Sequence, residues 1–245
     1  MTKGAVLILG GRSDIGLAIA HAFAAEGHPI WLAARGVETL AENRADLALR
    51  YGVEVSLVEF DALDTGGHGA FLDGLPALPE VAVCAVGLLG EQAQDEKTPA
   101  QAIRVMRTNF EGPAAILAEL ANRFEARGSG AIVGISSVAG ERGRATNYIY
   151  GAAKAGFTAY LSGLRNRLAR AGVQVLTVLP GFVATRMTAE LDLPAKLTAQ
   201  PDEVGRAVVR AVKTKRNVIY VKPIWQLVMA VIRAIPEPIF MRMKL

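Results

Sequence analysis

The sequence has almost no cysteine and no long uninterrupted apolar segment. Cys84 is the single cysteine among 245 residues, so no disulfide can form within the chain. No run of about 18 apolar residues is free of charged or polar interruptions, which argues against a membrane-spanning helix. No proline- and serine-rich linker, internal repeat or low-complexity segment divides the chain. These absences exclude a disulfide scaffold, an integral membrane protein and a repeat array.

The chain also has only a small excess of positive over negative charge. A net charge of +4 with 51% hydrophobic residues excludes a disordered chain. The 27 basic residues are spread out and form no stripe, so we expect no nucleic-acid partner. The apolar run Ala5–Leu9 is too short and too near the N-terminus for a signal-peptide core. We therefore expect a cytoplasmic protein, and no metal site is expected.

What the sequence does contain is a regular alternation of short apolar runs and longer amphipathic segments. The short runs are apolar on both faces, as buried parallel strands are. They lie at Ala5–Leu9, Pro29–Ala34, Val53–Phe60, Val81–Val86, Ala131–Ser136, Val173–Leu179 and Val218–Val221. The alternation predicts an α/β fold, a doubly wound Rossmann-type parallel sheet of about seven strands with helices on both faces.

The helical periods complete this prediction. Apolar residues predict a long helix from Ile103 to Phe124, with a bend near Gly112-Pro113, and a second helix over Tyr150–Ala169. We interpret residues 1–221 as one Rossmann-type dinucleotide-binding and catalytic domain. Residues 222–245 form a C-terminal apolar and basic appendage, predicted to be an amphipathic helical tail.

A glycine-rich loop follows the first predicted strand and opens the first helix. Glycines permit a tight turn and let backbone N–H groups approach a pyrophosphate, which the helix N-terminus also favours. The candidate cofactor-binding residues in this loop are Gly10, Arg12, Ser13, Asp14, Ile15 and Gly16. The alternative is an ordinary glycine-rich turn without a ligand.

The residue after the second strand bears on which cofactor is used. Arg35 stands where a site for NAD usually has an acidic residue. A basic residue suits the 2′-phosphate of NADP(H), and Arg12 could reach the same phosphate, so NADP(H) is favoured over NAD(H). Alternatively, Arg35 stacks on the adenine or is solvated. Asp61 and Ala62, after the third strand, could contact the adenine, or Asp61 could form an Asx-turn.

Tyr150 and Lys154 are four residues apart and share one face of a predicted helix. A phenol has an ordinary pKa of about 10, which a nearby ammonium and an oxidised nicotinamide would lower. The pair is a candidate general acid/base for interconverting a carbonyl and an alcohol. Ser137, after the fifth strand, could hydrogen-bond the substrate oxygen. Asn109 could hold a water near Lys154 through its backbone carbonyl.

These residues, in this order and spacing, resemble the classical short-chain dehydrogenase/reductase family over residues 4 to about 220. The resemblance implies that Tyr150 is the acid/base and that Ser137 orients the substrate carbonyl. It implies that Lys154 binds the nicotinamide ribose and lowers the pKa of Tyr150, and that Asn109 completes a proton relay. Further cofactor-binding residues lie at strand ends, namely Gly87, Pro180, Gly181, Val183 and Thr185, the last at the carboxamide.

Two positions depart from the family's pattern. Asp14 stands where the family usually has a glycine, so its charge is expected near the pyrophosphate, where it could cap the first helix and be offset by Arg12. Cys84-Ala85-Val86-Gly87 replaces the usual Asn-Asn-Ala-Gly, so the bracing of the central strands must come from elsewhere. Cys84 is interpreted as a small core residue rather than a nucleophile.

Several further stretches resemble reductases that act on a decaprenylphosphoryl 2-keto-pentose. They are Phe60–Thr65, Gly87–Glu91, Ala139–Arg144, Thr185–Ala189 and Trp225–Pro236. The resemblance implies hydride transfer to the 2-keto group of a polyprenylphosphoryl pentose, made by a flavin oxidase partner, in converting ribose to arabinose. A reductase of another ketone or secondary alcohol stays open, as does a non-catalytic nucleotide-sensing or scaffold protein.

The tail offers further expectations about partners. Trp225, Val228, Met229 and Ile232 lie on one helical face, with basic residues Lys222, Arg233, Arg242 and Lys244 around it. This pattern suits peripheral contact with an anionic membrane, on its inner face, or packing on the chain's own domain or on a sister subunit in a homodimer or homotetramer. Arg142 and Arg144 could pair with a substrate phosphate or lie in a solvated loop.

Overall fold

The computed structural model describes residues 3–243, so Met1, Thr2, Lys244 and Leu245 lie outside the described residues. Its centre is a seven-stranded parallel sheet with strand order β3-β2-β1-β4-β5-β6-β9, and β7 pairs with β8 beside it. The strands are β1 (Val6–Leu9), β2 (Ile30–Ala34), β3 (Val55–Glu59), β4 (Val81–Cys84), β5 (Gly130–Ile135), β6 (Val173–Pro180), β7 (Phe182–Val183), β8 (Thr198–Ala199) and β9 (Val218–Val221). The predicted doubly wound parallel sheet is confirmed.

The strand order explains where a ligand can enter. The chain runs outward from β1 to β2 and β3, then returns to the other side of β1 as β4. In such sheets a crevice opens beyond the carboxyl ends of the strands where the order reverses, which here is between β1 and β4. Both strands are buried along their whole length, as their uninterrupted apolar sequences require.

Helices cover both faces of the sheet. The α-helices are α1 (Asp14–Ala25), α2 (Ala41–Tyr51), α3 (His68–Asp73), α4 (Gln92–Asp95), α5 (Pro99–Met106), α6 (Gly112–Arg127), α7 (Tyr148–Leu168), α8 (Pro201–Lys213), α9 (Ile224–Ala234) and α10 (Glu237–Phe240). One core joins the sheet to α1 and α8, with Ile19 and Val208 fully buried. The other joins it to α6 and α7, where Phe124 and Phe157 are buried.

The predicted long helix is present, but its irregularity lies earlier than expected. A π-helical segment, Arg107–Glu111, joins α5 to α6 just before Gly112-Pro113. A Cβ on Gly112 would overlap the carbonyl oxygen of Ala62, so the helix approaches the loop after β3 closely at this point. Single π turns inside helices are often found at functional sites. This one carries Asn109, which is completely buried.

The tail packs against the domain through the apolar face that the sequence identifies. Trp225 and Met229 of α9 are buried in a cluster with Val138 and Leu179, and Val228 and Ile232 are partly buried against it. That face is therefore not free to meet a membrane. Within residues 3–243, no helix is long and apolar enough to cross a membrane.

Arg142 holds the end of the tail in place. Its Nη1 donates to the carbonyl oxygens of Arg233 at 3.0 Å and Ile235 at 2.9 Å, where α9 ends. Its Nη2 forms an ion pair with Glu237 at 2.6 Å, and its guanidinium lies 4.0 Å from the centre of the Phe240 ring. Arg142 is therefore neither solvated nor available for a substrate phosphate, the two roles that its sequence position suggests.

Candidate active site

A cavity of about 610 Å³ opens beyond the carboxyl ends of the central strands. Of the site residues that the sequence predicts, Gly16 and Asn109 do not line it, because Gly16 lies behind the glycine loop and Asn109 is buried in the π-helical segment. The others line one continuous wall: Gly10, Arg12, Ser13, Asp14, Ile15, Arg35, Asp61, Ala62, Gly87, Ser137, Tyr150, Lys154, Pro180, Gly181, Val183 and Thr185.

The glycine loop turns tightly from β1 into α1. Gly10 has a φ of +87°, and a Cβ there would lie 2.8 Å from the backbone of Ala85, so a side chain is excluded on two grounds. At Gly16, a Cβ would lie 2.6 Å from the carbonyl oxygen of Gly10. These contacts let the loop lie flat at the N-terminus of α1, a shape that fits a dinucleotide pyrophosphate.

The helix cap differs from the expectation for Asp14. Ser13 is the N-cap residue of α1, and its hydroxyl oxygen accepts a hydrogen bond from Gly16 N–H at 2.9 Å. Asp14 is the first residue of the helix, and its carboxylate faces Arg186, which lies after β7. Arg186 donates to the two Asp14 oxygens at 2.7 and 2.8 Å and to the Arg12 carbonyl at 2.6 Å. The sequence suggested that Arg12 would offset the charge of Asp14. In the structure Arg186 does so instead.

Arg12 and Arg35 lie together at the other end of the cavity. Both side chains are exposed, and Arg12 Nη1 donates to the Arg35 carbonyl at 3.2 Å. The nearby carboxylate of Glu59 accepts hydrogen bonds from the backbone N–H groups of Gly36 and Val37, each at 3.0 Å. Asp61 accepts from Leu63 N–H at 2.9 Å, which is the Asx-turn alternative, while it also lines the cavity.

Tyr150, Ser137 and Lys154 meet at the centre of the cavity. Helix α7 approaches the turn after β5 closely at Gly151. A Cβ on this residue would lie 2.8 Å from the Ala139 carbonyl oxygen, so only glycine permits the approach. Ser137 lies near the Tyr150 hydroxyl, and its own hydroxyl oxygen accepts a hydrogen bond from Ala139 N–H at 3.1 Å. Lys154 Nζ donates to the Ile135 carbonyl at 3.0 Å and lies 5.7 Å from the Tyr150 ring centre.

Burial dominates the ionisation of this group. It raises the pKa of Tyr150 to about 12, although the neighbouring Ser137 hydroxyl acts in the opposite direction. Burial lowers the pKa of Lys154 to about 8, so the ammonium is still the main form at neutral pH. The pKa of the Cys84 thiol rises to about 11 for the same reason, which makes it a poor nucleophile.

Asn109 anchors the loop after β4. Its Nδ2 donates to the carbonyls of Leu88 at 2.6 Å and Val105 at 2.9 Å, and its Oδ1 accepts from Leu88 N–H at 3.2 Å. A Cβ on Gly87 would lie 3.2 Å from Asn109 Oδ1 and 3.8 Å from Lys154 Nζ, so the three groups are close neighbours. The side chain of Asn109 is therefore fully engaged, and it places Gly87 against Lys154.

The loop after β6 meets the tail at the edge of the cavity. A Cβ on Gly181 would overlap the indole of Trp225, whose Nε1 donates to the Leu197 carbonyl at 3.0 Å. The Thr185 hydroxyl oxygen and Thr188 form a capping box for the short turn that follows. The indole thus closes one side of the cavity and belongs to its wall.

Several cavity residues were not predicted. They are Leu88, Leu89, Arg104, Asn147, Arg186, Met187, Leu191 and Trp225 as a wall residue. Five of them lie in the stretches Gly87–Glu91, Thr185–Ala189 and Trp225–Pro236 that the sequence analysis singled out by resemblance, whereas Arg104, Asn147 and Leu191 lie in no such stretch. For Trp225 the sequence also offered the apolar period that pairs it with Met229, because that face of the helix had to be covered by something.

Comparison with known proteins agrees with this geometry. Residues 4–195 match the family model described as short chain dehydrogenase. An uncharacterized oxidoreductase of Mycobacterium tuberculosis is 37% identical over 241 residues, covering 97% of this chain and 96% of the relative.

Solved structures show the same architecture. A short-chain dehydrogenase from Sphingobium yanoikuyae in complex with NADPH has a TM-score of 0.79 and 26% identity, covering 96% of this chain and 97% of that one. A 3-oxoacyl-[acyl-carrier protein] reductase from Brucella melitensis in complex with NAD has a TM-score of 0.81 and 25% identity, covering 93% and 98%. The chain belongs to the short-chain dehydrogenase family of oxidoreductases.

Proposed function

We propose that this oxidoreductase reduces a ketone to a secondary alcohol, with Tyr150 as the general acid. The observation that supports this most directly is that Tyr150 and Ser137 are neighbours on the wall of an open cavity, with the Lys154 ammonium 5.7 Å from the Tyr150 ring centre. Two hydroxyl donors side by side can hold one carbonyl oxygen between them. The nicotinamide cofactor, when bound, supplies the hydride.

Each side chain then has a distinct task. Ser137 donates a hydrogen bond that orients the carbonyl, and Tyr150 transfers its proton to the carbonyl oxygen. Lys154 is held by the Ile135 carbonyl near the phenol ring, and its positive charge stabilises the phenolate that remains. Because the Tyr150 pKa is raised to about 12 by burial, this stabilisation is needed for proton transfer near neutral pH.

Asn109 is proposed to serve the return of the proton. Its side chain is engaged with Leu88 and Val105, so its own backbone carbonyl is the group left to hold a water near Lys154. The π-helical turn supports this role because it changes the hydrogen-bond spacing of the backbone at this residue.

We propose NADP(H) as the preferred cofactor. Arg12 and Arg35 place two exposed guanidinium groups at the end of β2, and Glu59 is already held by two backbone N–H groups. Guanidinium groups bind phosphate with charge-assisted, often bidentate, hydrogen bonds. Solved relatives include complexes with NADPH and with NAD, so the choice depends on these two arginines.

The proposed substrate is the 2-keto group of a polyprenylphosphoryl pentose, supplied by a flavin oxidase. The substrate end of the cavity supports a partly apolar ligand, since Leu88, Leu89, Met187, Leu191 and Trp225 line it. An acyl or alicyclic ketone of similar polarity is the alternative, and 3-oxoacyl reductases are among the structural relatives.

The test is oxidation of NADPH and of NADH with a panel of ketones, comparing the wild type with Tyr150→Phe. The panel contains an enzymatically made polyprenylphosphoryl 2-keto-pentose and simple ketones. We expect Tyr150→Phe to lower turnover by about two to four orders of magnitude while cofactor still binds. Near-normal turnover by the variant would remove Tyr150 from the mechanism. Binding of NADPH with no turnover of any ketone would favour a nucleotide-sensing protein.

The outer face of the tail is proposed to meet a membrane surface. Ile224, Leu227 and Val231 are exposed on the side of α9 opposite Trp225, and the exposed Ile239 and Met241 continue the apolar surface. Basic residues beside them suit anionic lipid. Flotation with anionic vesicles tests this, using Leu227→Asn with Val231→Asn. Removal of the whole tail is unsuitable because it would also remove Trp225 from the cavity wall.

A homodimer or homotetramer is also proposed. Ile103, Met106 and Phe110 expose apolar side chains along α5 and the π-helical segment, and Tyr148 is exposed nearby at the start of α7. A patch of this kind is typical of a surface covered by a partner. The molar mass in solution, measured by light scattering, decides between a monomer and an oligomer.

A further inference from the structure

Arg144 is a partly buried cation whose side chain has no hydrogen-bond or ion-pair partner among the described residues. It lies in the turn before α7, where its carbonyl accepts a hydrogen bond from Asn147 N–H at 3.0 Å. Its Nε is shielded from solvent and has no hydrogen-bond partner, and it forms no ion pair with any residue between 3 and 243. Its side chain lines the cavity that holds Tyr150.

The buried Nε of Arg144 is costly to leave without a hydrogen-bond acceptor. Burial lowers the pKa of Arg144, and no nearby carboxylate acts against this effect. Arg142, two residues earlier, shows the contrast, because it has two carbonyl acceptors, a carboxylate and an aromatic ring around it. Burying a charged group without a hydrogen-bond partner costs more free energy than burying a neutral polar group. We therefore expect a ligand to supply the missing acceptor for Arg144.

Among the described residues, the cavity wall offers Arg144 no free anion. Among the residues that line the cavity, the acids are Asp14, which pairs with Arg186, and Asp61, which accepts from Leu63. Asp14 and Asp61 both belong to the part of the cavity proposed for the cofactor, which also contains Arg12 and Arg35. The substrate end instead contains a second arginine, Arg104, on the exposed surface of α5. The side chains of Arg104 and Arg144 therefore give this end of the cavity a positive charge, which favours binding of a negatively charged ligand.

A second unsatisfied polar atom lies on the same turn. Asn147 Oδ1 is buried, has no hydrogen-bond partner in the described chain, and its residue also lines the cavity. An amide can present either its oxygen or its nitrogen after a flip. Arg144 and Asn147 together thus provide a charged donor and an adaptable amide, a combination that suits an oxygen-rich ligand group.

We propose that Arg144 binds an anionic group of the ketone substrate, a carboxylate or a phosphate, while the keto group lies at Tyr150. This inference rests on the proposed function and names the substrate class, a ketone that carries a negative charge. A guanidinium fork recognises either anion through paired hydrogen bonds, and the amide of Asn147 adds a further contact. The apolar wall between these points accommodates the part of the substrate that links them.

The test compares ketones that share one carbon skeleton and end in a methyl ester, a carboxylate or a phosphate monoester. We expect Arg144→Gln to lower kcat/KM for the anionic ketones by about tenfold to a hundredfold, mainly through KM, because a hydrogen-bonded charge pair is lost. The ester is expected to change by less than about twofold. Arg144→Lys, which keeps the charge and loses the fork, should fall between the two.

Arg104→Gln is the matched control, because it removes an exposed arginine from the same cavity. A larger loss with Arg104→Gln than with Arg144→Gln would overturn the proposal, as would equal losses for ester and anions. A preference for the carboxylate or for the phosphate would identify the anion and support the proposal in either case.

A binding measurement separates this proposal from the proposed function. If the wild type reduces no ketone, the catalytic proposal fails, and thermal unfolding with saturating NADP⁺ still tests Arg144. Inorganic phosphate or acetate should then raise the Tm of the wild type and not that of Arg144→Gln. Saturating NADP⁺ keeps Arg12 and Arg35 occupied, so an equal rise in both proteins would contradict a site at Arg144.

Discussion

The two ends of the cavity are built in different ways. The end proposed for the cofactor is built mainly from backbone and small side chains at the ends of neighbouring strands, such as Gly10, Ala85 and Gly87, with Arg12 and Arg35 at its far edge. The substrate end consists of long side chains from separate segments, among them Arg144, Met187 and Trp225. Backbone at a strand end is fixed by the hydrogen bonds of the sheet, whereas long side chains are fixed only by their packing.

This difference between the two ends of the cavity indicates where substrate specificity can change. A glycine at position 10 or 16 has no alternative, because a Cβ would meet backbone atoms. At the substrate end, an arginine or a leucine can be replaced without moving a strand, so different substrates can be accommodated on the same cofactor site. Function at the level of hydride transfer and function at the level of substrate choice are therefore carried by different kinds of structure.

The largest expected effect is at Lys154, where the two ends meet. Lys154→Met should lower turnover by about two orders of magnitude or more, because the charge beside Tyr150 is lost. The same variant should be more stable near neutral pH. The depression of the Lys154 pKa from 10.5 to about 8 corresponds to roughly 3 kcal/mol of destabilisation, from which loss of the hydrogen bond to Ile135 subtracts about 1 kcal/mol.

The pH dependence of that difference has a definite sign. Because the pKa of Lys154 is lower in the folded state, the unfolded chain binds more protons between about pH 8 and 10.5. The stability of the wild type therefore rises through this window, and the advantage of Lys154→Met shrinks. Urea unfolding of both proteins at about pH 7 and about pH 10 measures this. A constant difference would mean that burial of the charge is not its cause.

An intermediate effect is expected at the far cofactor end. Arg35→Gln should raise the KM for NADPH by about tenfold or more and leave the KM for NADH within about twofold, because only NADPH has the 2′-phosphate. Steady-state kinetics with both cofactors measures the ratio, and Arg12→Gln should act in the same direction. Equal changes for NADPH and NADH would show that Arg35 does not bind the 2′-phosphate.

The smallest effect is expected where the glycine loop meets the loop after β7. The Arg186 side chain is 74% exposed, so its pair with Asp14 is screened by solvent and contributes less than about 1 kcal/mol to folding. Asp14→Asn should therefore lower Tm by no more than about 4 °C at low salt, and the difference should vanish at high salt. A larger and salt-independent drop would mean that Asp14 acts through packing.

The sheet and the gathering of Tyr150, Ser137 and Lys154 at one cavity were predictable from the sequence because their signals are local. Uninterrupted apolar runs predict buried strands, and polar residues just after them must gather at one edge of a parallel sheet. Asn109 was predicted as a functional residue, but the π-helical segment that holds it was not. The sequence indicates a bend at Gly112-Pro113, and the irregularity instead precedes it, at the close approach of Gly112 to Ala62.

The contrast between Arg142 and Arg144 could not be predicted. The two arginines are separated by one glycine, and the sequence predicts the same two alternatives for both, a contact with a substrate phosphate or a place in a solvated loop. Their environments differ because the end of α9, about ninety residues further along the chain, supplies carbonyl groups to Arg142 and none to Arg144. The face of the tail that carries Trp225 was identified from its period, but whether a membrane, a subunit or the domain covers it depends on such long-range packing.

The position of Trp225 also gives the molecule an optical property. The chain has two tryptophans, and Trp31 lies in the core on β2, whereas Trp225 forms part of the cavity wall. Indole emission overlaps the absorption of a reduced nicotinamide, so in a Trp31→Phe variant energy transfer from Trp225 would report a reduced cofactor in the cavity. The residue that closes the substrate end is thus a built-in fluorescent reporter of occupancy, available without any label.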